Sequence, residues 1–104
     1  MKTKDIKRIE LFAREWYDKT YGNSYFACEI YVNDELVHTL PFQYGYGNHY
    51  EDMANKWLKA NVFSKQLVKK IDYRGLYTTC SEIIGCKLVS RKIENCLQRE
   101  LKAM

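Results

Sequence analysis

The chain has 104 residues, 46% of them apolar, with 17 basic and 13 acidic side chains and a net charge of +4. That length fits one domain, and the apolar share allows a packed core. No apolar run approaches the length of a membrane span and none follows the basic N-terminus "MKTKDIKRIELF". Neither a membrane helix nor a secretory leader is therefore expected, and the four cysteines are read as reduced thiols of a cytoplasmic protein.

In chain order, residues 4–19 predict an amphipathic helix. Ile6, Ile9, Phe12, Ala13, Trp16 and Tyr17 recur at helical spacing, and Leu11 falls on the polar side. Tyr21-Gly22-Asn23-Ser24 turns the chain. "YFACEIYV", residues 25–32, alternates like a strand, Asn33-Asp34 signals a turn, and "ELVHTLPFQY", residues 35–44, returns as the second strand of a hairpin. A two-residue loop would pair Val32 with Glu35 and mix polar with apolar groups. A three-residue loop pairs Val32 with Leu36, Ile30 with His38, Cys28 with Leu40 and Phe26 with Phe42, which segregates one apolar face and is preferred. Pro41 has no N–H to donate and belongs at an edge or bulge.

Asn48 then reads as an N-cap with Glu51 closing a capping box, before a helix whose buried stripe is Tyr50, Met53, Ala54, Trp57 and Leu58 and whose stop is Asn61. Residues 64–71 suit a short helix, "DYRGLYTT" a turn or short strand, and Thr79 to Gly85 a capped helical turn. Residues 90–103 predict a last helix with Val89, Ile93, Cys96, Leu97, Leu101 and Met104 on one side.

Charge is uneven: residues 1–20 carry +2, residues 21–60 carry −3 and residues 61–104 carry +5. A basic C-terminal third suggests a polyanion or an acidic protein surface as partner, with Lys65, Lys69, Lys70, Arg74, Arg91, Arg99 and Lys102 as the basic face. Ser81 stands four before Gly85, as in a helix-turn-helix, but Arg91 falls where that motif takes an apolar residue.

Tyrosine is enriched, with nine in the chain. Tyr25 and Tyr31 fall on the hairpin face opposite the apolar row, and Tyr44 and Tyr46 interleave with Gly45 and Gly47 before the helix. Such rings stack bases or anchor protein interfaces. A Gly-x-Gly before a helix can also cradle an anion, but no Gly-Lys-Ser/Thr follows, and Glu51 and Asp52 oppose a phosphate. With His49, these four tyrosines are the candidate partner-binding residues.

The cysteines, Cys28, Cys80, Cys86 and Cys96, lack zinc-ligand spacing: five and nine residues separate the last three, and Cys28 is remote. Buried apolar thiols are the expectation, with no metal, no cofactor and no catalytic residue.

The order helix, strand, turn, strand, Gly-x-Gly, helix is similar to a double-stranded-RNA-binding domain, but the Lys-rich helix start of that family is replaced here by Asn48, His49, Tyr50, Glu51 and Asp52. Residues 16–54, with the specific pieces "YDKTYGNSY" and "FQYGYGNHY", resemble small proteins of unknown function from tailed phages and prophages. That resemblance implies context and no chemistry: a small phage protein that binds a host factor, as anti-CRISPR proteins do.

The sequence thus predicts a single α+β domain, 1–104. Its helix–hairpin–helix core over 1–61 is an antiparallel hairpin or small sheet packed on two amphipathic helices, and 62–104 form a basic, mostly helical extension. The expected function is non-enzymatic inhibition of a host defence nucleoprotein complex in the cytoplasm of an infected bacterium. Direct RNA or DNA binding is the alternative.

Overall fold

The computed structural model describes residues 6–71 and 75–104, the side chains of Lys70 and Ile71 aside. Three strands, β1 (Arg8–Asp18), β2 (Asn23–Val32) and β3 (Glu35–Tyr44), lead into helices α1 (His49–Asn61) and α2 (Lys65–Ile71). A helical turn α3 (Leu76–Thr78) continues as a π-helical stretch over Thr79–Ile84, and β4 (Lys87–Ile93) and α4 (Gln98–Lys102) complete the chain. The sheet order is β3-β2-β1-β4, antiparallel except for the parallel pair β1–β4. This is an α+β fold built on a mixed four-stranded sheet. Among the described residues no helix is long and apolar enough to cross a membrane.

The principal core lies on one face of the sheet. Alternate residues of β1 (Ile9, Leu11, Ala13) and β2 (Phe26, Cys28, Ile30, Val32) meet Tyr50, Ala54 and Leu58 of α1, Leu67 of α2, and Leu76 and Cys80. Met53 and Trp57 of α1 pack at its margin, and Trp57 stacks on His38 of β3 with ring centroids 4.4 Å apart. A smaller cluster on the opposite, outer face joins Ala27, Trp16, Tyr25 and Phe42 to Cys96, Leu101 and Met104. The short α4 is the only element, among the described residues, that covers part of this outer face.

Of the helix expected over residues 4–19, residues 4 and 5 lie outside the described residues, and Arg8–Asp18 form a strand. Leu11, an anomaly in the helical reading, is 1% exposed at the centre of the core, because period-two alternation puts it between Ile9 and Ala13. The order likened to an RNA-binding domain therefore becomes strand–strand–strand–helix. The helix expected over residues 90–103 is divided: Lys87–Ile93 pair with β1, and only Gln98–Lys102 are helical. Residues 62–104 are thus no extension, since β4 is an integral strand of the sheet, and the helix-turn-helix likeness fails because a strand follows Gly85. Of "DYRGLYTT", residues 72–74 lie outside the described residues and Leu76–Thr78 are helical.

The hairpin combines both registers weighed from the sequence. Asn33 and Asp34 adopt φ of 52° and 68°, the left-handed pair of a two-residue turn, so Val32 pairs with Glu35 rather than Leu36. A bulge at Val37 then restores Ile30–His38 and Cys28–Leu40 as expected, and a second, at Pro41–Phe42, sets Phe26 opposite Gln43 rather than Phe42. Asn33 anchors the turn to β1 by accepting the Lys7 and Arg8 N–H groups at 2.8 and 3.1 Å. α1 spans the expected residues, but the Asn48 side chain makes no capping bond; the Asn48 carbonyl accepts the Glu51 N–H at 2.9 Å instead.

Candidate functional site: the aromatic end of the sheet

The end of β1, the start of β2 and the end of β3 lie at one end of the sheet, because Trp16 pairs with Tyr25 and Tyr25 with Tyr44. Their outward side chains form a row of rings. Tyr25 is sandwiched between Trp16, 5.4 Å away, and Phe42, 5.1 Å away, and meets Tyr44 edge-on at 5.9 Å. Leu101 and Met104 press this row from above, and Lys102 Nζ sits 5.2 Å from the centre of the Phe42 ring. Tyr25 is therefore a half-buried support rather than an open platform.

Beyond the cover of α4 the rings reach solvent. Tyr44 is 57% and Tyr46 69% exposed; Tyr17, near the end of β1, is 49% and Tyr21, in the β1–β2 turn, 77% exposed. Tyr44, Tyr46 and His49, with Gly45, Asn48 and Asp52, line a cleft of about 460 Å³. The two glycines serve different ends. A Cβ on Gly45 would stand 2.6 Å from both the His49 and Phe26 rings, and Phe26 is locked in the core. Gly47 turns the chain with a φ of +60°, which disfavours any side chain. His49 also packs edge-on to Phe26 at 5.9 Å, so one wall of the cleft rests on the core.

Lys92 of β4 holds the loop from behind. Its ammonium donates to the Gly47 carbonyl at 2.9 Å and pairs with Glu15 of β1 at 3.4 Å, both side chains being 14% exposed. Tyr50, at the start of α1, exchanges a 2.6 Å hydrogen bond with Ser90 of β4, and burial pushes its phenol above the ordinary range.

The remaining candidates do not converge here. Tyr31 lies six residues along β2 from Tyr25, about 20 Å away at strand rise, beside Glu10 and Leu36. Its phenol is raised by desolvation and then by the Glu29 and Glu10 carboxylates. The basic residues divide between two sides. Lys65 and Lys69 are exposed on α2 on the helical face, while Arg91 of β4 and Arg99 and Lys102 of α4 lie on the outer side. Arg74 and the Lys70 side chain lie outside the described residues. Tyr17, Tyr21 and Lys92 were not singled out in the sequence. Tyr21 stood in a recognised turn, but reading 4–19 as a helix hid that this turn lies at the same end of the sheet as Tyr44.

All four cysteines are free and buried. Among the described residues no three His, Cys, Asp or Glu side chains group as a metal site. Burial pushes the Cys28 thiol from 9.0 to about 12, and raises Cys80 and Cys86 as well. Unfolded thiols ionise near pH 9 while Cys28 and Cys80 stay protonated, so the folded state binds more protons above that pH. Stability is complete below pH 9 and is expected to fall above it by about 1.4 kcal/mol per pH unit for each such thiol. Urea midpoints measured from pH 8 to 11 read this slope, and a flat profile would contradict it. Native Cys28 and Cys80 are likewise expected to resist alkylation at pH 8 and to react on denaturation.

No protein-family model, no curated protein and no solved structure matches the chain.

Proposed function

We propose that the chain is a non-enzymatic binding protein that engages a macromolecular partner through the aromatic end of its sheet. The partner in this reading is a host defence nucleoprotein complex, inhibited by occupation of a functional surface in the cytoplasm of an infected bacterium. That is the anti-CRISPR-like role implied by the resemblance of residues 16–54 to small phage and prophage proteins. The observation that carries the binding role is the gathering of Tyr17, Tyr21, Tyr44 and Tyr46, each about half exposed or more, around one end of a rigid sheet. Tyrosine gives large contact area for little lost side-chain entropy and is enriched among interface hot spots. The Cys28 and Cys80 thiols, pushed up by burial, offer no thiolate for nucleophilic chemistry.

The test is phage plating on bacteria with an active CRISPR system directed at that phage. Expression of the protein is expected to raise plaque counts. Tyr44→Ala/Tyr46→Ala is expected to weaken the effect about tenfold or more, since each lost anchor costs on the order of 1–2 kcal/mol, with the melting curve unchanged. No rise against any CRISPR type, or a rise indifferent to these tyrosines, overturns the reading.

Lys102 beside the Phe42 ring, with Arg99 on the same helix, supports direct nucleic-acid binding as a second reading. Binding of labelled oligonucleotides that weakens steeply with salt would favour it; no binding at low salt would remove it.

A further inference from the structure

The two edges of the sheet are unlike. β3 is blunted by Pro41 and two bulges, the usual devices against unwanted pairing. β4 has neither: its register with β1 runs unbroken from Arg8–Lys87 to Arg14–Ile93. The Lys87 N–H donates to the Lys7 carbonyl at 3.0 Å. Backbone groups alternate in direction along a strand, so Lys87, Val89, Arg91 and Ile93 spend theirs on β1, and Leu88, Ser90 and Lys92 turn theirs to the open side. Among the described residues no strand pairs there, and α4 packs over β1, β2 and β3 rather than beside β4.

We propose that this open edge takes an extended acidic segment of a partner protein as a fifth strand. The outer row of β4 reads Lys87, Val89, Arg91, Ile93, base alternating with apolar group, and the strand has no acid. Lys87 and Arg91 are exposed and have no carboxylate partner among the described residues, and Ile93 is 48% exposed. The matching strand carries acids opposite Lys87 and Arg91 and apolar residues opposite Val89 and Ile93. A second copy of this chain fits poorly: antiparallel self-pairing about Ser90 sets the two Arg91 side chains diagonally adjacent on one face, where like charges repel. Main-chain bonds would supply affinity and the alternating outer row specificity. This surface is separate from the aromatic end and stands or falls independently of it.

Amide hydrogen exchange of the full chain tests it, with the nonapeptide Glu-Thr-Val-Thr-Glu-Thr-Val-Thr-Glu as probe and its Lys-for-Glu counterpart as control. In the free protein the Leu88, Ser90 and Lys92 amides are expected to exchange faster than Val89 and Arg91. The acidic peptide, at about ten times its dissociation constant, is expected to slow those three about tenfold and leave Val89 and Arg91 unchanged. Lys87→Glu/Arg91→Glu is expected to reverse the preference between the peptides. Three results would each overturn the proposal. One is no slowing by the acidic peptide, and another is equal slowing by both. The third is protection of the three amides already in the free protein together with a dimeric mass, which would assign the edge to a second copy.

Discussion

Leu11→Ala is expected to cost about 3 kcal/mol of folding stability, and Phe12→Ala about 1 kcal/mol. Leu11 is 1% exposed between Ile9 and Ala13 and meets the helical layer, so truncation opens a cavity that its packed neighbours cannot fill. Phe12 points to the outer face, half-buried, with the Arg14 guanidinium 5.8 Å from its ring. A helix over 4–19 requires the opposite ranking, with Phe12 in the apolar stripe and Leu11 in water. Urea midpoints at unchanged m-value decide between them. A domain of this size holds on the order of 5–15 kcal/mol in total, so the Leu11 variant would remain folded but with a large fraction of its margin gone.

The same pair of residues shows why the sequence misleads over β1. A strand covered on one face alternates cleanly; β1 is covered fully on one face and partly on the other. Phe12 and Trp16 on the outer face add apolar residues to the row Ile9, Leu11, Ala13, and the sum mimics a spacing of three and four. β4 fails differently. It is an edge strand half-buried at most, so Lys87–Ile93 has little alternation to read, and Val89, Ile93, Cys96 and Leu97 fall by chance at helical spacing. β2, β3 and α1 were legible because strong turn residues at Asn33-Asp34 and Gly45–Asn48 bound them and because Phe26, Cys28, Ile30 and Val32 alternate without a break, even though Ala27 and Phe42 join the outer cluster. The turn at the second tyrosine–glycine stretch was legible too, and Tyr44 and Tyr46 stand exposed there. What sequence could not supply was its surroundings: Lys92 reaches the Gly47 carbonyl, and Tyr17 and Tyr21 share that end of the sheet, only through pairings of β1 that a helix does not have.

Lys92→Met is expected to cost about 2–3 kcal/mol and to loosen the loop that carries Tyr46. The substitution keeps the apolar stem but leaves the Glu15 carboxylate, 14% exposed, without its cation and the Gly47 carbonyl without its donor. Glu94 also pairs with Lys92, at 3.6 Å, but its side chain is 62% exposed, so Glu94→Gln is expected to change stability by less than about 0.5 kcal/mol. Glu15→Gln/Lys92→Met is expected to recover part of the loss, because the stranded charge is gone; equal costs for the single and double variants would show that the ion pair is not its source. Faster amide exchange at Gly47 to His49 in the Lys92 variant would tie the pair to the aromatic cleft as well as to the fold.

The parallel pairing of β1 with β4 also sets an order of events. β1, β2 and β3 close by short turns, whereas the β1–β4 pairing joins Arg8 to Lys87 across most of the chain. Loop closure of that length costs entropy before any contact repays it, so the last strand is expected to dock late and to hold folding to milliseconds or slower. Pulsed hydrogen exchange during refolding would show β2 protected before β4; simultaneous protection would contradict it. Until docking, β1 is left with one unpaired edge, and Lys87–Ile93 are what seal it.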